Sequence, residues 1–130
     1  MILYNKPYLT GNENHYLTKA VSTGKISGNG YFTKLCQKYF DDKLKNQLNL
    51  CTTSCTDALE MAAILIDIQP GDEVIVPSYT FSSTANAFLL RGAKIIFADS
   101  LPDHPNIDVS KLPELITENT KAIVPVHYAG

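Results

Sequence analysis

The sequence predicts an α/β protein built on a mostly parallel sheet with flanking helices. Three observations carry that expectation. From residue 47 onward, short apolar runs alternate with helical stretches, the rhythm of strand–helix–strand units with right-handed crossovers. The runs Val74-Ile75-Val76 and Ile95-Ile96-Phe97 are apolar without interruption, as strands covered on both faces are. Gly71 and Gly92 stand where helices must return to strands, and Pro70 and Asp72 complete the first of those turns.

Taken in order, residues 1–12 read as an extended arm, because Pro7 and Gly11 block regular structure. A short helix follows over 13–23 and ends at Gly24. The loop Lys25-Ile26-Ser27-Gly28-Asn29-Gly30 leads to a second helix over 31–42. Phe32, Leu35, Cys36, Tyr39 and Phe40 recur on it at helical spacing, and this stripe is read as core. The pattern divides the chain into residues 1–46, an arm with two helices, and residues 47–130, a series of strand–helix units. Strands are expected at 48–52, Glu73–Pro77, Lys94–Ala98 and 122–126, with helices at 56–66, 83–91 and 109–116. The polar, proline-marked loop over 100–106 is expected to be exposed.

Composition narrows the function classes. The 130 residues are 45% hydrophobic and 18% charged, a globular profile with room for one modest core. A formal net charge of −2 argues against a nucleic-acid or anionic-membrane surface. No apolar run reaches membrane-spanning length and the N-terminus lacks a signal-peptide pattern, so a cytoplasmic location is expected. Cys36, Cys51 and Cys55 are read as reduced, small buried hydrophobes. His15, His104 and His127 are scattered, which makes a four-ligand metal site a poor reading.

The chemistry gathers where sheet strands end. Ser54 occupies an N-cap position and Asp57 follows three residues later, the spacing of a capping box. The first turn of the helix behind them presents unpaired N–H groups and a favourable dipole to an anion, with hydroxyls from Ser54 and Thr56 alongside. Two readings stand side by side here: a plain helix cap, or a phosphate seat. The stretch Ser78-Tyr79-Thr80-Phe81-Ser82-Ser83-Thr84 sets two aromatics among five hydroxyls. Its rings suit either a hydrophobic lid or a surface for a planar phosphorylated cofactor. Asp99 with the loop after it, and the segment from His127 to Gly130, are expected at the same edge.

Ser54-Cys55-Thr56, the run from Gly71 to Phe81, and Ser83-Thr84-Ala85-Asn86-Ala87 resemble the DegT-type nucleotide-sugar aminotransferases. So do Arg91-Gly92-Ala93-Lys94, Asn106-Ile107-Asp108, and the run from Thr120 to Gly130. The likeness covers nearly the whole chain. Leu59-Glu60-Met61-Ala62-Ala63 and Gly28-Asn29-Gly30-Tyr31-Phe32-Thr33 resemble the branch that aminates TDP-4-oxo-6-deoxyglucose for enterobacterial common antigen. The resemblance implies the N-terminal part of a fold-type I pyridoxal-phosphate (PLP) transferase large domain and a homodimeric enzyme. It implies transfer of an amino group from glutamate to a nucleotide-linked 4-keto-6-deoxy sugar. It further implies that Thr56 and the backbone N–H of Asp57 hold the PLP phosphate, and that Phe81 stacks on the pyridine ring.

Asp57 departs from the small residue the family pattern leads one to expect, and its carboxylate is expected to turn away from the phosphate and cap the helix. His127 is read as a structural hydrogen-bonding residue rather than a catalytic one. The Schiff-base lysine of transamination is expected beyond Gly130, because no lysine here has a matching context. The chain is therefore expected to be the N-terminal third of such an enzyme and inactive by itself. The alternatives are a non-catalytic truncated or split-gene fragment, or a dehydratase of the same family.

Overall fold

All five residues of β1 (Glu73–Pro77) are buried, and the described sheet is built outward from this strand. The computed structural model describes residues 5–45 and 48–128. The expectations for residues 1–4, 46–47 and 129–130 lie outside the described residues. Two compact units form, Met1–Cys51 and Thr52–Gly130.

In the second unit, α3 (Cys55–Leu65) leads to β1, and α4 (Ser83–Leu89) carries the chain to β2 (Lys94–Ala98). A 3₁₀ turn over Val109–Lys111 and the short α5 (Leu112–Leu115) then carry it to β3 (Thr120–Ile123). The strands lie in the order β2-β1-β3, and both pairings are parallel. Because side chains alternate along a strand, β1 serves both faces of the sheet. Val74 and Val76 pack with Ala63 of α3 and with Ala85 and Phe88 of α4. Ile75 faces the other way, with Ala98 and Ile107, against Leu112 and Leu115.

The bounds of β1 and β2 agree with the sequence expectation; other elements shift for identifiable reasons. The last strand starts earlier and ends sooner than 122–126. Val124 still donates its N–H to the Ile75 carbonyl (2.9 Å), but Pro125 has no N–H with which to continue the ladder. The expected helix over 109–116 breaks into two pieces where Pro113 enters the first turn of α5. The expected strand over 48–52 does not form: Leu48 is 86% and Leu50 68% exposed, and among the described residues no ladder partner takes their backbone groups. An alternating apolar pattern describes a strand only once a neighbour supplies the other half of the ladder. The loop over 100–106 is only partly exposed, because an antiparallel bridge between Ser100 and Ile107 closes it.

In the first unit, α1 (Glu13–Ser22) and α2 (Tyr31–Leu44) form near their expected bounds, and the Tyr16 and Phe32 rings meet edge to face at 5.5 Å. Neither helix holds a buried residue. The stripe containing Leu35, Cys36, Tyr39 and Phe40 is therefore not core among the described residues. Helical spacing reports which side chains share a face, not what covers that face. The three cysteines are likewise exposed rather than buried.

At the start of β1, the buried Glu73 carboxylate accepts from Lys94 Nζ (2.8 Å) and from the Thr117 hydroxyl (2.7 Å). The Lys94 hydrogen bond, then that from Thr117, holds this carboxyl below its ordinary value of 4.5. A depressed carboxyl contributes stability that is present above its unfolded value and is lost as the pH falls through its folded one. Unfolding midpoints followed from pH 7 down into the acid range should show that loss for the parent protein, and a flatter acid limb for Glu73→Gln. Equal acid limbs would show that the Glu73 contacts do not carry this dependence.

The returns to the strands are tied together. Lys94 N–H donates to the Asp72 carbonyl (2.9 Å), and Arg91 Nε donates to the Ile68 carbonyl (3.3 Å). Gly92 has φ +88°, and a Cβ placed on it would stand 2.9 Å from Pro70 Cγ.

Candidate functional site

Ser54 sits just ahead of α3 in extended backbone (φ −152°, ψ 164°), and its Oγ accepts from the Asp57 N–H at 3.1 Å. Thr52 donates its hydroxyl to the Ser54 carbonyl (2.7 Å), and Thr53 donates its hydroxyl to Asp57 Oδ2. The first intrahelical bond runs from Ala58 N–H to the Ser54 carbonyl (3.2 Å). The Cys55 and Thr56 amides thus come before any intrahelical acceptor and face out of the helix end. The Thr53 hydroxyl, and after it Ser54, holds the Asp57 carboxyl below the usual carboxylate range, so it is ionised and engaged with the residues ahead of the helix.

The second turn begins where β1 ends. Ser78 N–H donates to the Ala98 carbonyl (2.8 Å), and Thr84 N–H donates to the Phe81 carbonyl (3.0 Å). The Thr80 and Thr84 hydroxyls lie 2.8 Å apart. Ser82 stands just ahead of α4, and its side chain makes no cap bond. Tyr79 meets Tyr128 edge to face at 5.2 Å, whereas the Phe81 side chain is 76% exposed. Tyr128 N–H donates to Asn106 Oδ1 (2.9 Å), so the turns after β1, β2 and β3 come together. His127 is exposed and makes no side-chain hydrogen bond among the described residues.

A hollow of about 380 Å³ joins the two main turns. Thr56 and Glu60 line it from α3, Ser82, Ser83 and Asn86 from the start of α4, and Leu89 and Leu90 contribute apolar wall. Thr56 and the turn that carries Phe81 are thereby neighbours, although Phe81 itself does not line the hollow. Asp57 does not line the hollow, and its N–H donates to Ser54 Oγ. The hydroxyls of Thr56, Ser82 and Ser83 and the Asn86 amide are donors that can meet a phosphate, although the Glu60 carboxylate shares the wall. Glu60 and Asn86 were missed in the sequence. The signal that could have found them was their four-residue spacing from Thr56 and Ser82.

The model of the DegT/DnrJ/EryC1/StrS aminotransferase family matches residues 7–130. A GDP-perosamine synthase of Caulobacter vibrioides is 40% identical over 124 residues, covering 95% of this chain and 33% of that protein. A 3-oxo-glucose-6-phosphate:glutamate aminotransferase of Bacillus subtilis is 38% identical over 114 residues, covering 88% of this chain and 26% of that protein. The chain thus spans a third or less of the length of these curated relatives. Among solved structures, the PMP form of the putative sugar aminotransferase Spr1654 from Streptococcus pneumoniae superposes with a TM-score of 0.88. It is 31% identical, over 99% of this chain and 32% of that one.

Proposed function

The chain belongs to the DegT/DnrJ/EryC1/StrS aminotransferase family, and from that membership we propose that it supplies the phosphate seat and ring surface for PLP in a sugar aminotransferase. The observation that carries the proposal is the hollow between Thr56 and the Ser82–Ser83 turn. The Thr56 hydroxyl and N–H donate to the phosphate, and the Asp57 N–H joins them by turning part of its bond away from Ser54. The helix dipole adds to the attraction for the anion. Phe81 lies against the ring and excludes water from one of its faces. When bound, PLP supplies the electron sink through which an amino group is transferred.

The acceptor is a nucleotide-linked 4-keto-6-deoxy sugar carried on TDP, and the amino donor is glutamate. The Bacillus subtilis relative, a 3-oxo-glucose-6-phosphate:glutamate aminotransferase, supports the donor, and the GDP-perosamine synthase supports a nucleotide-linked amino sugar. The TDP carrier rests on the runs Leu59–Ala63 and Gly28–Thr33. Residues 47–130 form the first strand–helix units of the PLP-binding domain, and the working enzyme is a homodimer.

Phe81→Ala should weaken PLP retention by about 1–3 kcal/mol through lost stacking and burial, measured by dialysis of the loaded protein. Retention equal to that of the parent would remove Phe81 from the ring face.

A further inference from the structure

A second hollow, of about 320 Å³, opens in the first unit where α1, the loop after it and the start of α2 meet. Leu17 and Val21 give it an apolar wall from α1, and Tyr31 and Phe32 contribute rings from α2. Thr23, Ser27 and Thr33 set hydroxyls among them, and the one charged residue in the lining is Lys25. No carboxylate lines this hollow, in contrast to the one that Glu60 shares. A second cation stands close by, because Lys19 Nζ lies 5.4 Å from the centroid of the Tyr31 ring. The acidic side chains of the described part of this unit are engaged elsewhere. Glu13 accepts from the Thr10 and Gly11 amides, Asp41 accepts from Asn49, and Asp42 pairs with Lys38. Among the described residues, therefore, neither Lys19 nor Lys25 has an ion-pair partner.

We propose that this hollow is a nucleotide-binding site: the base packs against the Tyr31 ring and the apolar wall from α1, and Lys25 with Lys19 meets the diphosphate. The inference rests on the reading of a nucleotide-linked acceptor above and deepens it by naming what recognises the nucleotide. A mostly apolar cleft with a few convergent polar groups is the usual form of a small-molecule site. Tyr31, at 49% exposed, offers a base the aromatic surface on which bases stack. The three hydroxyls both donate and accept, as the carbonyl and N–H edge of a base requires. Charge decides between ligand classes. A neutral ligand would leave both ammonium groups unmet, and a bare anion would leave the ring and the apolar wall wet; a nucleoside diphosphate satisfies both.

The test is titration calorimetry of the protein as its gene encodes it, with thymidine diphosphate, TDP-glucose and thymidine as probes. Tyr31→Leu should weaken both diphosphates about tenfold, the order of one base–aromatic stack at a half-open site. Tyr31→Phe keeps the ring and should keep the parent affinity. Lys25→Gln should weaken both diphosphates about threefold, flatten the fall of their affinity with added salt, and leave thymidine unchanged. Parent-like binding of the diphosphates by Tyr31→Leu and Lys25→Gln overturns the proposal, as does an equal loss of thymidine in Lys25→Gln. Binding of TDP-glucose without thymidine diphosphate places recognition on the sugar and overturns it too. So does displacement of bound thymidine diphosphate by pyridoxamine 5′-phosphate, which assigns the hollow to the cofactor. Should Tyr31→Leu fail to fold, the salt dependence of Lys25→Gln decides, and an unchanged slope overturns the proposal. A parent that binds neither diphosphate refutes the nucleotide-linked acceptor itself, whereas binding indifferent to Tyr31 and Lys25 refutes only the site.

Discussion

Phe88→Ala is expected to cost about 3–5 kcal/mol of stability, the largest effect foreseen for a single side chain here. Phe88 is 2% exposed and lies in the cluster that contains Ala63 of α3 and Val74 and Val76 of β1. Truncation removes a ring from between two helices and a sheet, and the short α4 has few other large side chains with which to refill the space. The consequence extends to the site, because the same helix begins at Ser83, beside Phe81 and on the wall of the hollow. Denaturant unfolding of the variant should show the full loss, with weaker PLP retention even where the protein remains folded. A loss below about 1 kcal/mol would show that the neighbours collapse onto the space, and that α4 is held by other contacts.

Gly92→Ala should cost about 2–4 kcal/mol, from left-handed backbone strain together with overpacking. At φ +88°, any L side chain is strained, and the added Cβ would meet Pro70 Cγ at 2.9 Å and Pro70 Cα at 3.3 Å. Gly71 supplies the internal control. Its φ is +101°, but a Cβ there would meet nothing within 4 Å. Gly71→Ala should therefore cost only the backbone part, about 1–2 kcal/mol. Equal unfolding midpoints for the two variants would show that the contact with Pro70 contributes nothing.

Much of this fold was legible because its strongest signals are local. Val74-Ile75-Val76 and Ile95-Ile96-Phe97 combine uninterrupted apolar runs with glycine returns, and β1 and β2 fall at their expected bounds. The cap was equally readable, since Ser54 and Asp57 meet at the spacing that a capping box requires. What the sequence hid depends on partners. Among the described residues, Leu48 and Leu50 alternate like a strand but have no ladder to join, and the stripe on α2 is apolar without being covered. At the site, Thr56 and the turn of Phe81 were expected at one edge, and the hollow brings them near each other. Glu60 and Asn86 escaped notice because their importance arises only from the way α3 packs beside α4. The hydrogen bond from Thr53 to Asp57 depended on a rotamer, which no spacing rule specifies.

No strand of the described sheet feeds directly into α3, so the aim of its amide-bearing mouth is set from behind. Ala63, wholly enclosed against β1 and α4, lies seven residues along the helix from Thr56, about 10 Å at the usual rise. The helix works as a lever whose fulcrum is a single methyl group: a bulkier side chain at that pivot would tilt the far end, and the binding groups would miss their target without one of them having been altered.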